Sequence, residues 1–203
     1  MSDNTLRDAA LEYAKAGYSV IPVQAEGKKP LGEWKDAQEH PATEAQIHDW
    51  WSKYPRSNVG IVCGAVSGIT VVDLDGAEGL ESFKPLGLPP TRVVKTPHGH
   101  HLYYEYTPDL HTGAAFLPGI DVRSDGGFVV APPSAIGGKG YAVQQDKPIV
   151  PIGPIPEAFS SQHRNGTTPE PSTAPGWVSD LLAHGAPEGQ RNNDAIRLAG
   201  YRH

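Results

Sequence analysis

Asp73 and Asp75 stand two residues apart in the run Val71-Val72-Asp73-Leu74-Asp75-Gly76. Residues 69–74 are almost all apolar or β-branched, which describes a buried strand. Side chains two apart on a strand share a face, so both carboxylates project together at its C-terminal end. Like charges that close repel unless a cation holds them, and hard oxygen donors select Mg2+ or Mn2+. A simple Asp-Gly turn, with Asp73 as a strand-end cap, accounts for the dipeptide equally well. The second group is Thr96-Pro97-His98-Gly99-His100-His101-Leu102-Tyr103-Tyr104. Its three histidines are not spaced for a tetrahedral zinc site, and no cysteine assists them. A histidine at the mouth of a strand can donate to a phosphate instead; a solvated loop with incidental histidines is the simpler account. The third group runs from Gly119 to Ser134, where Asp121 and Arg123 share one strand face. A carboxylate for a metal thus lies beside a guanidinium for a phosphate. Alone, the pair is only a surface ion pair of little energetic value.

The elements that must position these groups follow from periodicity. Leu6, Ala9, Ala10, Tyr13 and Ala14 recur at helical spacing after a candidate N-cap at Asn4, with Gly17 where a left-handed C-cap falls. Residues 18–22 read as a strand ending at a proline, and 26–34 as a Gly-, Lys- and Pro-rich loop. Thr43 and Gln46 form a capping-box signature for a helix through Trp50 and Trp51 that closes before Pro55. Short β-branched or aromatic runs bounded by Gly and Pro predict strands at 59–63, 69–74, 92–96, 102–106, 120–123 and 128–131. A weak helix is expected over 78–83. The Ser-Asp-Gly-Gly turn between the last two strands predicts a hairpin. Without a regular βαβ rhythm, the expected class is α+β with a largely antiparallel sheet.

The chain has 203 residues and is 38% hydrophobic, enough for one well-buried domain or a domain with an appendage. Its formal charge of −6, from 17 basic and 23 acidic residues, argues against a basic duplex-coating protein. An acidic metal site beside a locally basic groove remains compatible with that charge. The single Cys63 excludes an intramolecular disulfide framework and a multi-cysteine zinc site, and suits a cytosolic protein. No apolar run is long enough for a membrane span, and no leader pattern opens the chain. Over 160–176 the composition turns to Ser, Thr, Pro, Gly, Gln and Asn, which predicts a flexible linker at 161–176. Short helices are expected within 177–203, first over 177–184. The pattern is interrupted at His203, as in a piece of something longer.

Taken in order, the Asp-x-Asp strand, the Gly-His strand and the Asp-x-Arg segment resemble the three motifs of the archaeo-eukaryotic primase superfamily. The sequence is most similar to the bifunctional primase–polymerase N-terminal domain of plasmid, phage and bacterial replication proteins. Further similarities are Gly27-Lys28-Lys29-Pro30-Leu31 followed by Trp34, the helix ending Trp50-Trp51, and Asn58-Val59-Gly60-Ile61 with Gly64 and Gly68. The longest signature is Asp121-Val122-Arg123-Ser124-Asp125-Gly126-Gly127-Phe128-Val129-Val130-Ala131-Pro132-Pro133-Ser134, and the resemblance spans roughly residues 9–159.

The resemblance implies metal binding by Asp73, Asp75 and Asp121, with Mg2+ or Mn2+ as two ions and no zinc. It implies that His101 contacts the phosphates of the incoming nucleotide, and that Lys29, Arg123 and Ser134 line the nucleotide pocket. The implied fold is an antiparallel catalytic sheet like that of an RNA-recognition motif, joined to a small N-terminal α/β module, with the site in the cleft between them. The expected domains are a catalytic domain at 1–160, the linker at 161–176 and the start of a helical region at 177–203. The implied activity is primer synthesis and extension on single-stranded DNA from nucleoside triphosphates, in the cytoplasm, beside a helicase domain or protein and without a membrane. Two alternatives are a nucleotide-sugar glycosyltransferase, which also uses Asp-x-Asp, and a non-catalytic replication-initiator DNA-binding module. The first leaves Asp121 and Arg123 unexplained, and the intact acids argue against the second.

Overall fold

A computed structural model of the chain describes residues 5–159 and 176–178. The first helix, α1 (Thr5–Lys15), buries Ala9, Ala10 and Tyr13. It ends as its spacing predicts: Gly17 has φ +84°, its N–H donates to the Ala14 carbonyl at 2.9 Å, and the Tyr18 N–H reaches the Tyr13 carbonyl at 3.0 Å. The candidate cap Asn4 lies outside the described residues. Helix α2 (Glu44–Lys53) opens with the expected capping box, in which the Thr43 and Gln46 side chains satisfy each other's backbone N–H, and it buries Ile47 and Trp51.

Two sheets follow. Strands β1 (Val20–Val23) and β2 (Asn58–Val62) pair antiparallel and pack with both helices into a small α/β module. The large sheet begins with β3 (Ile69–Asp75), which runs into helix α3 (Gly76–Phe83). It adds β4 (Arg92–Lys95), β5 (Gly99–Glu105), β6 (Gly113–Leu117) and β7 (Ile120–Arg123). After β8 (Phe128–Ala131) and the two-residue strands β9 (Ala135–Ile136) and β10 (Lys139–Gly140), it gains β11 (Ala142–Gln145). The small sheet has the order β1-β2-β8 and the large one β11-β4-β5-β3-β7-β6. All named pairs are antiparallel, so the architecture is α+β.

The large sheet separates two cores. Val71, Val94, Tyr103 and Val143 pack against the small module, whereas Val72, Leu74, Val93, Leu102, Ile120 and Val122 pack with α3 on the far side. Alternation along the strands makes that partition. Each fully buried Val, Leu or Ile contributes about 1.5–3 kcal/mol, so the register that places the acids on one face is strongly held. Val178 is buried in the far core, and Trp177 meets Phe83 edge-on at 5.8 Å. Residues 176–178 are helical, in keeping with a helix near 177; the rest of the expected linker and tail lies outside the described residues.

The sheet departs from expectation at three points. Strands β7 and β8 do not form a hairpin: β7 pairs with β3 and β6, while β8 pairs with β2 in the other sheet. The Ser124–Gly127 turn is therefore the crossing between sheets, held by the Gly127 N–H on the Ser124 carbonyl and the Cys63 N–H on the Gly127 carbonyl. Both edges of β7 are already occupied. Strand β5 starts three residues before the expected 102, because Gly99 pairs with Asp75. A Cβ at Gly99 would sit 1.8 Å from the Leu74 carbonyl oxygen, so glycine is what admits this pairing. Strands β6 and β11 were not foreshadowed by composition; both are edge strands, poor in β-branched residues, whose pairing is set by the neighbour strand.

Candidate functional site

Three candidate residues fall in one row across the large sheet. Asp73 on β3 pairs with His101 on β5 and, at its other edge, with Asp121 on β7. Val94 and Val143 continue the row across β4 and β11. Directly paired residues project on the same side, so the histidine–acid–acid series faces the small module. Asp75 projects to the same side two residues further along, is exposed, and pairs with Gly99, which offers no side chain. His100, between Gly99 and His101, is turned to the opposite face.

His101 Nε2 lies 3.5 Å from Asp73 Oδ1, and the histidine side chain is 5% exposed. Burial pushes the imidazole pKa down to about 3, with Lys28 adding to the effect, so the ring is neutral near pH 7. Its Nδ1 is buried without a hydrogen-bond partner. Burial also pushes the Asp73 carboxyl up to about 6, against the opposing influence of Lys28 and Arg123 and with a further rise from Asp121. Asp121 is held from two sides: Oδ1 accepts from the Ala115 N–H at 2.8 Å, and Oδ2 accepts from Arg123 at 2.7 Å. Ala115 adopts φ +55° to make that contact, a left-handed conformation uncommon for alanine.

A cavity of about 280 Å3 opens where the two sheets face each other. Asp73, His101 and Arg123 line it from the large sheet, Phe128, Val129 and Val130 from β8, Lys28 and Trp34 from the loop after β1, and Tyr141 from the approach to β11. Trp34 and Phe128 pack edge-on, 5.2 Å between ring centroids. Gly126 and Gly127 leave the crossing turn free of bulk, and Thr112 fixes it by accepting the Ser124 N–H at 2.7 Å.

Asp73, His101, Asp121 and Arg123 are thus brought together, with Asp75 at the strand end beside them. Lys29 is exposed and does not line the cavity; its neighbour Lys28 does. Ser134 is fully buried, and its Oγ accepts the Val59 N–H at 2.9 Å, so its hydroxyl serves the β2 backbone. Lys28, Trp34, Thr112 and Tyr141 were not singled out as site residues. For Lys28 and Trp34 the signal was present, since the Gly27–Trp34 segment stands out as basic and aromatic, but choosing between adjacent lysines requires the loop's three-dimensional course.

Fold and site define a class: an α+β protein that carries a histidine–acid–acid row at a cavity closed by two sheets and flanked by cations. The chain belongs to the family of the bifunctional DNA primase/polymerase N-terminal domain, whose profile matches residues 10–158. No curated protein matches the chain. DNA and nucleotides are the substrates that this family implies. No helix among the described residues is long and apolar enough to cross a membrane.

Proposed function

We propose that the chain is a DNA primase–polymerase that adds nucleotides from nucleoside triphosphates to a primer end on a single-stranded DNA template. The observation that carries this reading is the row Asp121–Asp73–His101, of which Asp73 and His101 line the same cavity of about 280 Å3 as Lys28 and Arg123.

The donor set suits Mg2+ or Mn2+. Asp73, Asp75 and Asp121 offer hard carboxylate oxygens on one face, and the burial that raises the pKa of Asp73 makes its charge costly until a cation is bound. Among the described residues, no three His, Cys, Asp or Glu side chains already converge as a cage. Asp121 accordingly has its two oxygens on Ala115 and Arg123. The three aspartates would hold two such ions, which when bound make the primer 3′-hydroxyl more nucleophilic and neutralise the departing pyrophosphate.

The chain's own groups do the rest. His101, neutral and buried, can donate one ring N–H to a phosphate oxygen without adding a charge. Arg123 can meet phosphate oxygens in a bidentate fork. Trp34 and Phe128 form an apolar wall against which a base can rest. The low exposure of Asp73 and His101 limits water at the reacting atoms and strengthens each electrostatic contact. A helicase partner and the bacterial, plasmid or phage setting belong to the same reading.

Primer extension with Mn2+ or Mg2+ and labelled nucleotides tests the proposal, run with and without primer and with ribo- or deoxyribonucleotides. A metal-dependent ladder supports it. Absence of any incorporation under all these conditions rejects it.

A further inference from the structure

Two cations line the cavity, and they are differently engaged. Arg123 donates to Asp121 Oδ2 at 2.7 Å. Lys28 forms no side-chain ion pair or hydrogen bond among the described residues, yet it lines the same cavity. Its charge is felt there: after burial, Lys28 is the strongest influence on both Asp73 and His101.

The loop carrying Lys28 is closed at its base. The Gln24 N–H donates to the Lys29 carbonyl at 2.7 Å, the Leu31 N–H to the Pro22 carbonyl at 2.8 Å, and the Gly27 N–H to the Gln24 carbonyl at 3.1 Å. Val23 bridges to Pro30, and Asn58 Nδ2 reaches the Gln24 carbonyl at 3.4 Å. These bonds hold the two lysines at the tip in different settings: Lys28 lines the cavity and Lys29 does not. On the opposite wall, the buried His101 Nδ1 has no partner. An unpaired ammonium facing a wall that holds an unpaired imidazole nitrogen and a guanidinium matches a ligand with several anionic oxygens.

We propose that Lys28, and not the adjacent Lys29, is the lysine that binds the triphosphate, reaching across from the small module to the His101 and Arg123 side of the catalytic sheet. The assignment rests on the nucleotide reading above and puts Lys28 in the place that the family resemblance gave to Lys29. Lys28 has no ion-pair partner among the described residues, whereas Arg123 already shares its charge with Asp121.

Calorimetric titration of the 203-residue protein with inorganic tripolyphosphate in EDTA reads the protein's cations alone, with dATP titrated in parallel in the presence of Mn2+. Lys28→Ala is expected to weaken tripolyphosphate binding about tenfold, the loss of one charge-assisted contact. Lys28→Arg should restore most of it, and Lys29→Ala should leave it unchanged. Both lysines are exposed, so thermal melts of the variants should match the parent. Equal weakening by Lys28→Ala and Lys29→Ala, or wild-type affinity in Lys28→Ala, overturns the assignment of Lys28 while leaving the nucleotide site standing. A parent protein that binds neither tripolyphosphate nor dATP overturns the assignment and the nucleotide reading together.

Discussion

Asp73 and Asp121 are direct cross-strand partners on β3 and β7, with both carboxylates on the face toward the small module. Such partners hold their Cβ atoms about 4.5–5.5 Å apart, so each charge raises the cost of the other. The free protein eases the conflict on one side only. Asp121 receives the Ala115 N–H and Arg123, while Asp73 has the neutral His101 at 3.5 Å.

If these carboxylates hold ions, Asp73→Asn, Asp75→Asn and Asp121→Asn should each lower nucleotide incorporation by about 100-fold or more, since several kcal/mol of charge stabilisation disappear. Mn2+ should raise the melting temperature of the parent protein and leave that of Asp73→Asn and Asp121→Asn nearly unchanged. Incorporation assays and melts with and without EDTA check both outcomes.

The two buried titratable groups should give opposite pH dependences in metal-free protein. The folded pKa of Asp73 is raised from 3.8 to about 6, so its contribution is full below about 4 and is lost as pH rises through about 6. That loss is roughly 3 kcal/mol at most. The folded pKa of His101 is lowered from 6.5 to about 3, so its contribution is full above 6.5 and is lost as pH falls toward 3. In urea unfolding, His101→Asn should lose stability as pH climbs through the Asp73 window. Asp73→Asn should gain stability as pH climbs through the His101 window. Parallel curves for the two variants would contradict this assignment.

Gly99→Ala should damage the site without touching a candidate ligand. The added Cβ would lie 1.8 Å from the Leu74 carbonyl oxygen, so β5 must move away from β3. Overpacking of this kind costs about 1–3 kcal/mol. Because Asp73 pairs with His101 in the same ladder, incorporation should fall more than stability alone explains. Activity measured well below the variant's own melting temperature separates the two effects.

Ser134→Ala should act through folding. It strands the buried Val59 N–H, at a cost of about 1–3 kcal/mol, while tripolyphosphate affinity stays at the parental level. Urea unfolding and calorimetry on the same preparation test the split.

A chain ending at Phe159 should keep primer extension, because Asp73, Asp75, His101, Asp121, Lys28 and Arg123 all precede that point. It should also be less stable, since it loses Val178 from the far core and the edge-on contact between Trp177 and Phe83. Removal of one buried aliphatic and one half-buried aromatic side chain predicts a loss of about 2–4 kcal/mol. Extension assays at low temperature, paired with thermal melts, check both parts.

Sequence alone determined the properties that depend on near neighbours. The Thr43–Gln46 cap, the Gly17 terminus, the limits of β7 and β8, and the shared face of Asp73 with Asp75 all follow from local periodicity and backbone preference. The order of three acidic and histidine-bearing strands was enough to point to the family. Tertiary structure decided everything that depends on which strand edge is free. The segment read as a hairpin became a crossing between sheets because β3 and β6 occupy β7, leaving β8 to pair with β2. That crossing closes the cavity against the loop after β1, and the loop's course brings in Lys28 rather than Lys29. Two adjacent lysines have the same charge and the same local propensities; only the closure of a turn against a distant sheet distinguishes them.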